Sequence, residues 1–517
     1  MNPPVGGYRP GWALALVTAT CVLLTLDITI VNVALPTIRD SLGSDLSGLQ
    51  WVITAYTLAF GSVLLTAGSL ADATGRRKIF LGGLAVFSLA SLVCGLAPSV
   101  AVLNIARGVQ GLGGAFAFAP AMAIIAASYG GAARTKAIAI FGAVTMAAGA
   151  LGPLAGGALV EAVSWRSMFL VNVPLGIVLG WLTLRKVAPD TRTGAVRIDV
   201  VGVVTLAVGL SCVTLALLRG EEQGWTGGAT LTQAGIGVVA LGVFLLSQAR
   251  GRRPLLDLSL FGIRSFTGAA VTALLARLVS FGLLAYLVLY LGAVHSYDAF
   301  DVGIRLLALS LMLVVGGLTS VALASRVPLA ALSTAGFLVA AAGLFALLLA
   351  DATGPWTRLL PALMLLGLGL GLVTTPGMTV AMGVVPAART GVASGVINSF
   401  MPLGTALGTA LFGVVFSTRI HQSVQEAPAL AALDATTTSR IADALGAGRL
   451  DALAAAVPAG ARETVITVGR EALTDALGTL GVVGAAMAVL AALLSALLIR
   501  SRDLRHTGAA EPAESTA

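Results

Sequence analysis

Three ionisable residues stand near the middle of long apolar runs: Asp27, Arg107 and Arg277. Charged side chains in such settings are costly, and they mark sites that bind, relay or couple ions. Burial disfavours the charged form of a carboxyl and a neighbouring cation favours it. Asp27, facing a cavity open to each side in turn, would take up and release protons; its alternative is a structural acid at a kink or permanently paired with an Arg. Arg107, followed by Gln110, keeps its charge in any protein setting. It would either tune Asp27 and relay its proton, or bond a neighbouring helix carbonyl. Arg277 would contact an anionic or electron-rich substrate from a cavity, or extend its head to backbone carbonyls.

Other chemistries find no residues. No GxxxxGK[ST] phosphate loop occurs. His295, His421 and His506 fall in outer loops or the tail, and Cys21, Cys94 and Cys212 lie in apolar runs without metal-ligand spacing. Neither an enzyme nor a cofactor or metal site is expected. The driving force would be an ion or solute gradient.

These residues sit in 517 residues of which 57% are hydrophobic and 10% charged, with a mean hydropathy of +0.97. Soluble chains carry about 25% charged residues, so most of this surface must face lipid or other helices. The net charge of +8 comes from short basic clusters between apolar runs, the pattern of cytoplasmic membrane loops, and implies no nucleic-acid partner. A bilayer core requires roughly 20 apolar helical residues per span. Fourteen such runs can be drawn, among them 12–37, 101–126, 391–416 and 476–499. The basic bias puts both termini in the cytoplasm of a multi-pass protein of the cytoplasmic membrane.

The chain repeats weakly at an offset near 255: Gly111-Leu112-Gly113 with Pro120 returns as Gly367-Leu368-Gly369 with Pro376, and Gly149 returns as Gly404. Parallel halves meeting at a midplane site mark secondary transporters. The expected division is a six-helix half over 1–190, two linker helices over 191–260, and a second six-helix half over 261–500. That second half includes an external helical cap or loop, 417–475, and a disordered cytoplasmic tail follows at 501–517. The repeat breaks where it meets charge, since Leu363 stands opposite Arg107. The coupling chemistry is therefore assigned to the first half.

Ordered motifs carry a resemblance. LDITIVNVALP (Leu26 to Pro36), QWVITAYTLA (Gln50 to Ala59), GSLADATGRRK (Gly68 to Lys78), LNIARGVQGLGG (Leu103 to Gly114), GALGPLAGG (Gly149 to Gly157) and WRSMFLVNVPLG (Trp165 to Gly176) follow one another. Together they resemble the major facilitator superfamily, in its 14-span drug:proton antiporter branch of QacA/EmrB-like multidrug efflux transporters. The resemblance implies an all-α polytopic membrane fold that exports hydrophobic small molecules or antibiotics in exchange for protons, as a single chain. It implies proton coupling by Asp27 and Arg107. It implies a cytoplasmic gate at Gly68, Asp72, Gly75 and Arg76, and an antiporter hinge at Gly149, Gly152, Pro153, Gly156 and Gly157. Asn32, Gln110, Arg277 and Asn398 are the candidate lining of the substrate cavity. A superfamily symporter or uniporter for a small metabolite, or a non-transporting membrane sensor, is the alternative. The sequence departs from the pattern at Ser167-Met168, at Met401-Pro402 and at Arg277, departures that bear on substrate range and not on fold.

Overall fold

The computed structural model describes residues 9–503 except 45, 130, 190–198, 224–225, 252–257, 325, 386–389, 431–434, 449, 451–452, 454–461 and 501–502. Regular structure among these residues is helical: α1 (Pro10–Leu42), α2 (Leu46–Thr74), α3 (Arg76–Gly95), α4 (Val100–Phe118), α5 (Ala121–Ser128), α6 (Gly131–Ala162), α7 (Ser167–Leu170), α8 (Asn172–Lys186), α9 (Val200–Gln223), α10 (Gly228–Arg250), α11 (Arg264–His295), α12 (Ala299–Leu323), α13 (Leu329–Phe345), α14 (Leu360–Gly383), α15 (Thr390–Glu426), α16 (Ala435–Gly446) and α17 (Arg462–Leu498). In hydrocarbon every backbone group must be paired internally, which long apolar helices achieve. Ten helices among the described residues are long and apolar enough to cross a membrane.

Several helix ends depart from the apolar runs. The run 101–126 is interrupted at Ala119–Pro120, dividing α4 from α5, because Pro120 supplies no N–H to continue the ladder. The runs 391–416 and 476–499 are only parts of α15 and α17, which extend to Glu426 and begin at Arg462. Within 417–475 the ends of these two helices, with α16 between them, supply the α-helical structure among the described residues. Of the expected tail, only Asp503 lies among the described residues.

Close helix approaches set the packing. A Cβ added at Gly111 on α4 would strike the Tyr56 carbonyl of α2, and one added at Gly367 on α14 would strike the Leu309 carbonyl of α12. Gly113 likewise faces the Gly83 and Phe87 backbones of α3, as Gly369 faces those of Gly336 and Ala340 on α13. Small residues let backbones approach within membranes, where burial of apolar surface contributes little between helices. The triplet α2–α3–α4 is thus repeated in α12–α13–α14.

α6 is wedged between α1 and α12. Gly152 and Gly156 abut Thr29 and Ile30 of α1, while Gly157 abuts Ala299 and Phe300 of α12, and Gly303 of α12 abuts Pro153. Farther along, Leu35, Leu49 and Ile53 meet Ala285, Tyr286, Leu289 and Thr409 across one narrow gap. Near this seal Arg39 donates to the Ala447 carbonyl beyond α16. Helices α9 and α10 pack on each other, and α9 also touches α2 and α15.

Candidate functional site

Asp27 lies midway along α1, and its side chain is 1% exposed. Arg107 of α4, equally buried, donates from Nη1 to Asp27 Oδ2 at 2.5 Å. The spacing of Arg107 and Gln110 on α4 puts both on one helix face, and that face meets α1. Gln110 Nε2 donates to Asp27 Oδ1 at 2.9 Å, while Gln110 Oε1 accepts from Arg107 Nη1 at 2.7 Å. Arg107 Nε donates to the Val52 carbonyl of α2 at 3.0 Å. The guanidinium lies 4.4 Å from the Tyr56 ring centroid, so the ring's negative face adds to the carboxylate in holding the cation.

Two further residues complete the arrangement. Asn172, the first residue of α8, donates from Nδ2 to Asp27 Oδ1 at 2.8 Å. Ser91 of α3 accepts from Gln110 Nε2 at 2.7 Å and from Asn172 Nδ2 at 3.3 Å. It donates in turn to the Phe87 carbonyl at 2.8 Å. Residues of five helices thus gather around one carboxylate, two of them, α4 and α8, bonding it directly. An ion pair removed from water survives only when its donors and acceptors are well occupied, and here Asp27 Oδ1 accepts two bonds while Arg107 Nη1 and Nε donate three. Such a site can hold one carboxylate in a fixed orientation, or release it when a proton replaces the cation.

The other sequence candidates fall elsewhere. Gln110, expected on the cavity wall, is fully buried in the Asp27 arrangement. Asn32 is also buried, and its Nδ2 donates to the Ile28 and Thr29 carbonyls of its own helix. Its Oδ1 has no hydrogen-bond partner among the described residues. Arg277 is half-buried on α11, its Cβ against Gly404 of α15. Asn398 belongs to α15, and its side chain lies outside the described residues, as does that of Asp72 on α2. Gly75 takes φ +117° between α2 and α3, a conformation that L side chains rarely adopt. Arg76 donates to the Ala123 carbonyl of α5 at 3.5 Å, and Gly68 has open space around its α-carbon. Gly149 faces the Thr25 side chain of α1. Neither Asn172 nor Ser91 stood out in the sequence, because an uncharged polar residue in an apolar run has no cost high enough to flag it.

Comparison with known proteins places this architecture. A family profile described as Major Facilitator Superfamily matches residues 17–409. A methylenomycin A resistance protein of Streptomyces coelicolor is 34% identical over 419 residues, 80% of this chain and 87% of its own. A puromycin resistance protein of Streptomyces alboniger is 38% identical over 413 residues, 79% of this chain and 82% of its own. Among solved structures, a bacterial homologue of the human lysosomal transporter Spinster, inward-facing and unoccupied, aligns with a TM-score of 0.67. It is 18% identical, covering 98% of this chain and 99% of its own, which speaks to the fold alone.

Proposed function

The chain belongs to the Major Facilitator Superfamily, and from that premise we propose that it exports hydrophobic, antibiotic-like small molecules in exchange for protons. The observation that carries this reading is the ion pair of Asp27 and Arg107, buried at 2.5 Å inside apolar helices. Asp27 takes a proton from the outer side and gives it up to the cytoplasm, and the drug moves the other way. A proton crossing 100 mV supplies about 2.3 kcal/mol, enough to drive uphill efflux. The relatives named for resistance to methylenomycin and puromycin support an antibiotic or toxic metabolite as cargo.

In this reading the chain acts alone in the cytoplasmic membrane, with both termini inside and fourteen spans. Two six-helix halves flank α9 and α10. Gly68, Asp72, Gly75 and Arg76 form the cytoplasmic gate, and the glycines of α6 with Pro153 form the hinge. The packing of Gly157 against α12 and of Gly152 against α1 supports a hinge role, since α6 touches helices on both sides of the seam. Neutral or weakly acidic cargo is favoured over dications: Arg277 is the ionisable group near mid-span in α11, and α12–α14 supply no acid there.

The test is uptake into inside-out vesicles with an imposed pH gradient, using a panel that includes puromycin. Asp27→Asn is expected to abolish uphill uptake and to preserve downhill exchange; undiminished uphill uptake would overturn the proton-coupled reading. Strong transport of a lipophilic dication, indifferent to Arg277→Ala, would overturn the cargo preference.

A further inference from the structure

The two oxygens of Asp27 are not equivalent. Oδ1 accepts two amide N–H bonds, from Gln110 at 2.9 Å and Asn172 at 2.8 Å. Oδ2 accepts from Arg107 Nη1 at 2.5 Å. The two amides come from different helices, α4 and α8, and one hydroxyl orients both. Ser91 Oγ accepts the second N–H of each, at 2.7 and 3.3 Å, while its own proton goes to the Phe87 carbonyl at 2.8 Å. A carboxyl oxygen offers two in-plane lone pairs, so Oδ1 is saturated. Asp27, Asn172, Gln110 and Ser91 are all buried.

We propose that Asn172 is a positioning residue that makes a proton and Arg107 compete for one oxygen of Asp27. The inference rests on the proton-coupled reading above and deepens it. With both lone pairs of Oδ1 held by amides, an incoming proton bonds to the remaining lone pair of Oδ2; Oδ2 then becomes the hydroxyl oxygen of a neutral acid, a weak acceptor, and the ion pair with Arg107 Nη1 is lost. In the neutral acid Oδ1 is the carbonyl oxygen, which accepts the same two amides unchanged. Arg107 keeps the Gln110 Oε1 and Val52 carbonyl acceptors, so its charge stays bonded. When the proton departs to the cytoplasm, Arg107 returns to Oδ2. Protonation and breakage of the helix-to-helix ion pair thus become a single event, which lets the protonation state govern switching between inward- and outward-open forms. Without Asn172 a lone pair of Oδ1 is open. A proton then binds there while Arg107 stays, the carrier switches with or without its proton, and protons cross without exchange.

Because the defect is a proton leak, the test requires no identified drug. The purified full-length protein is placed in liposomes holding a pH-sensitive dye, and a potassium diffusion potential is imposed. The wild type is expected to pass protons no faster than empty liposomes. Asn172→Leu is expected to leak several-fold faster, Asn172→Gln less, and Ser91→Ala, which frees one N–H of each amide, the least. Adding Asp27→Asn to Asn172→Leu is expected to abolish the leak, because the carrier carboxyl is gone. A leak that survives Asp27→Asn indicates structural damage and overturns the proposal. So does a wild-type rate in Asn172→Leu, or in Ser91→Ala should the Leu variant not fold. Either result leaves the proton-coupled reading standing, since that reading falls only if Asp27→Asn alone retains uphill export.

Discussion

Helices α2–α4 and α12–α14 have one packing scheme and opposite interiors. Gly111 and Gly367 press on carbonyls at matching positions, Tyr56 and Leu309, and Gly113 and Gly369 on matching stretches of the next helix. Yet where the first triplet holds Arg107, Gln110 and Ser91, the second holds Leu363, Leu366 and Leu344, all buried. The glycines fix the backbone approach and carry no chemistry. The polar cluster holds the buried ionisable groups and is not needed for the shape, since the second triplet reaches the same shape with leucine. Close packing and the buried polar cluster are therefore separable features of this molecule, and substitution can move one without the other.

The largest effect is expected from making the first interior like the second. Arg107→Leu leaves Asp27 buried without its cation, and removing one member of a buried pair costs about 3–5 kcal/mol. Thermal unfolding in detergent should show a large drop. Asp27→Asn added to Arg107→Leu should recover much of that loss while uphill export stays absent. If the double variant unfolds as readily as the single, the polar cluster does contribute to the shape, and the separation fails. The next effect probes what the triplets share. Gly111→Ala and Gly367→Ala each force a methyl onto a carbonyl, and such overpacking costs about 1–3 kcal/mol. The two unfolding temperatures should fall by similar amounts, and a silent Gly367→Ala would mean that the second triplet is the looser one.

Asp27 and Arg107 were legible in the sequence because ionised groups in apolar runs are rare and costly. The glycines of GALGPLAGG were legible as a close approach, but their partners on α1 and α12 were not, since a small residue does not name its neighbour. Gln110 is expected from the sequence on a cavity wall; its burial follows from the three-residue spacing that places it beside Arg107. Asn172 lies within WRSMFLVNVPLG, but the donor it offers acquires meaning only when α8 meets α1. The extra length of α15 and α17 was hidden because hydropathy registers the thickness of the apolar layer, and these helices continue beyond it through polar residues such as Arg419, Glu426, Arg462 and Glu471.

The smallest expected effect lies in the turns that close the two triplets. The turn before α4 uses a neutral cap, in which Ser99 Oγ accepts from the Val102 amide at 3.4 Å. The corresponding turn before α14 uses a carboxylate. Asp351 Oδ1 accepts from the Thr353 amide at 2.9 Å, the Thr353 hydroxyl at 3.0 Å and the Gly354 amide at 3.2 Å, and Oδ2 pairs with Arg358. These bonds, the Thr353 amide first, hold its carboxyl below the ordinary value of 3.8. A group so depressed stabilises the fold in full above its ordinary value, and that contribution is lost as the pH falls below 3.8 through the folded value. Hydrogen exchange, corrected for its intrinsic pH dependence, should therefore show the Thr353 and Gly354 amides losing protection on acidification from neutral pH to below 3.8. The Val102 amide should not change, since no carboxyl faces it in the cap. Asp351→Asn should remove the pH dependence from the second turn and leave the first untouched. Equal acid sensitivity in both turns would mean that the loss reflects general unfolding, and that the caps differ in chemistry without differing in behaviour.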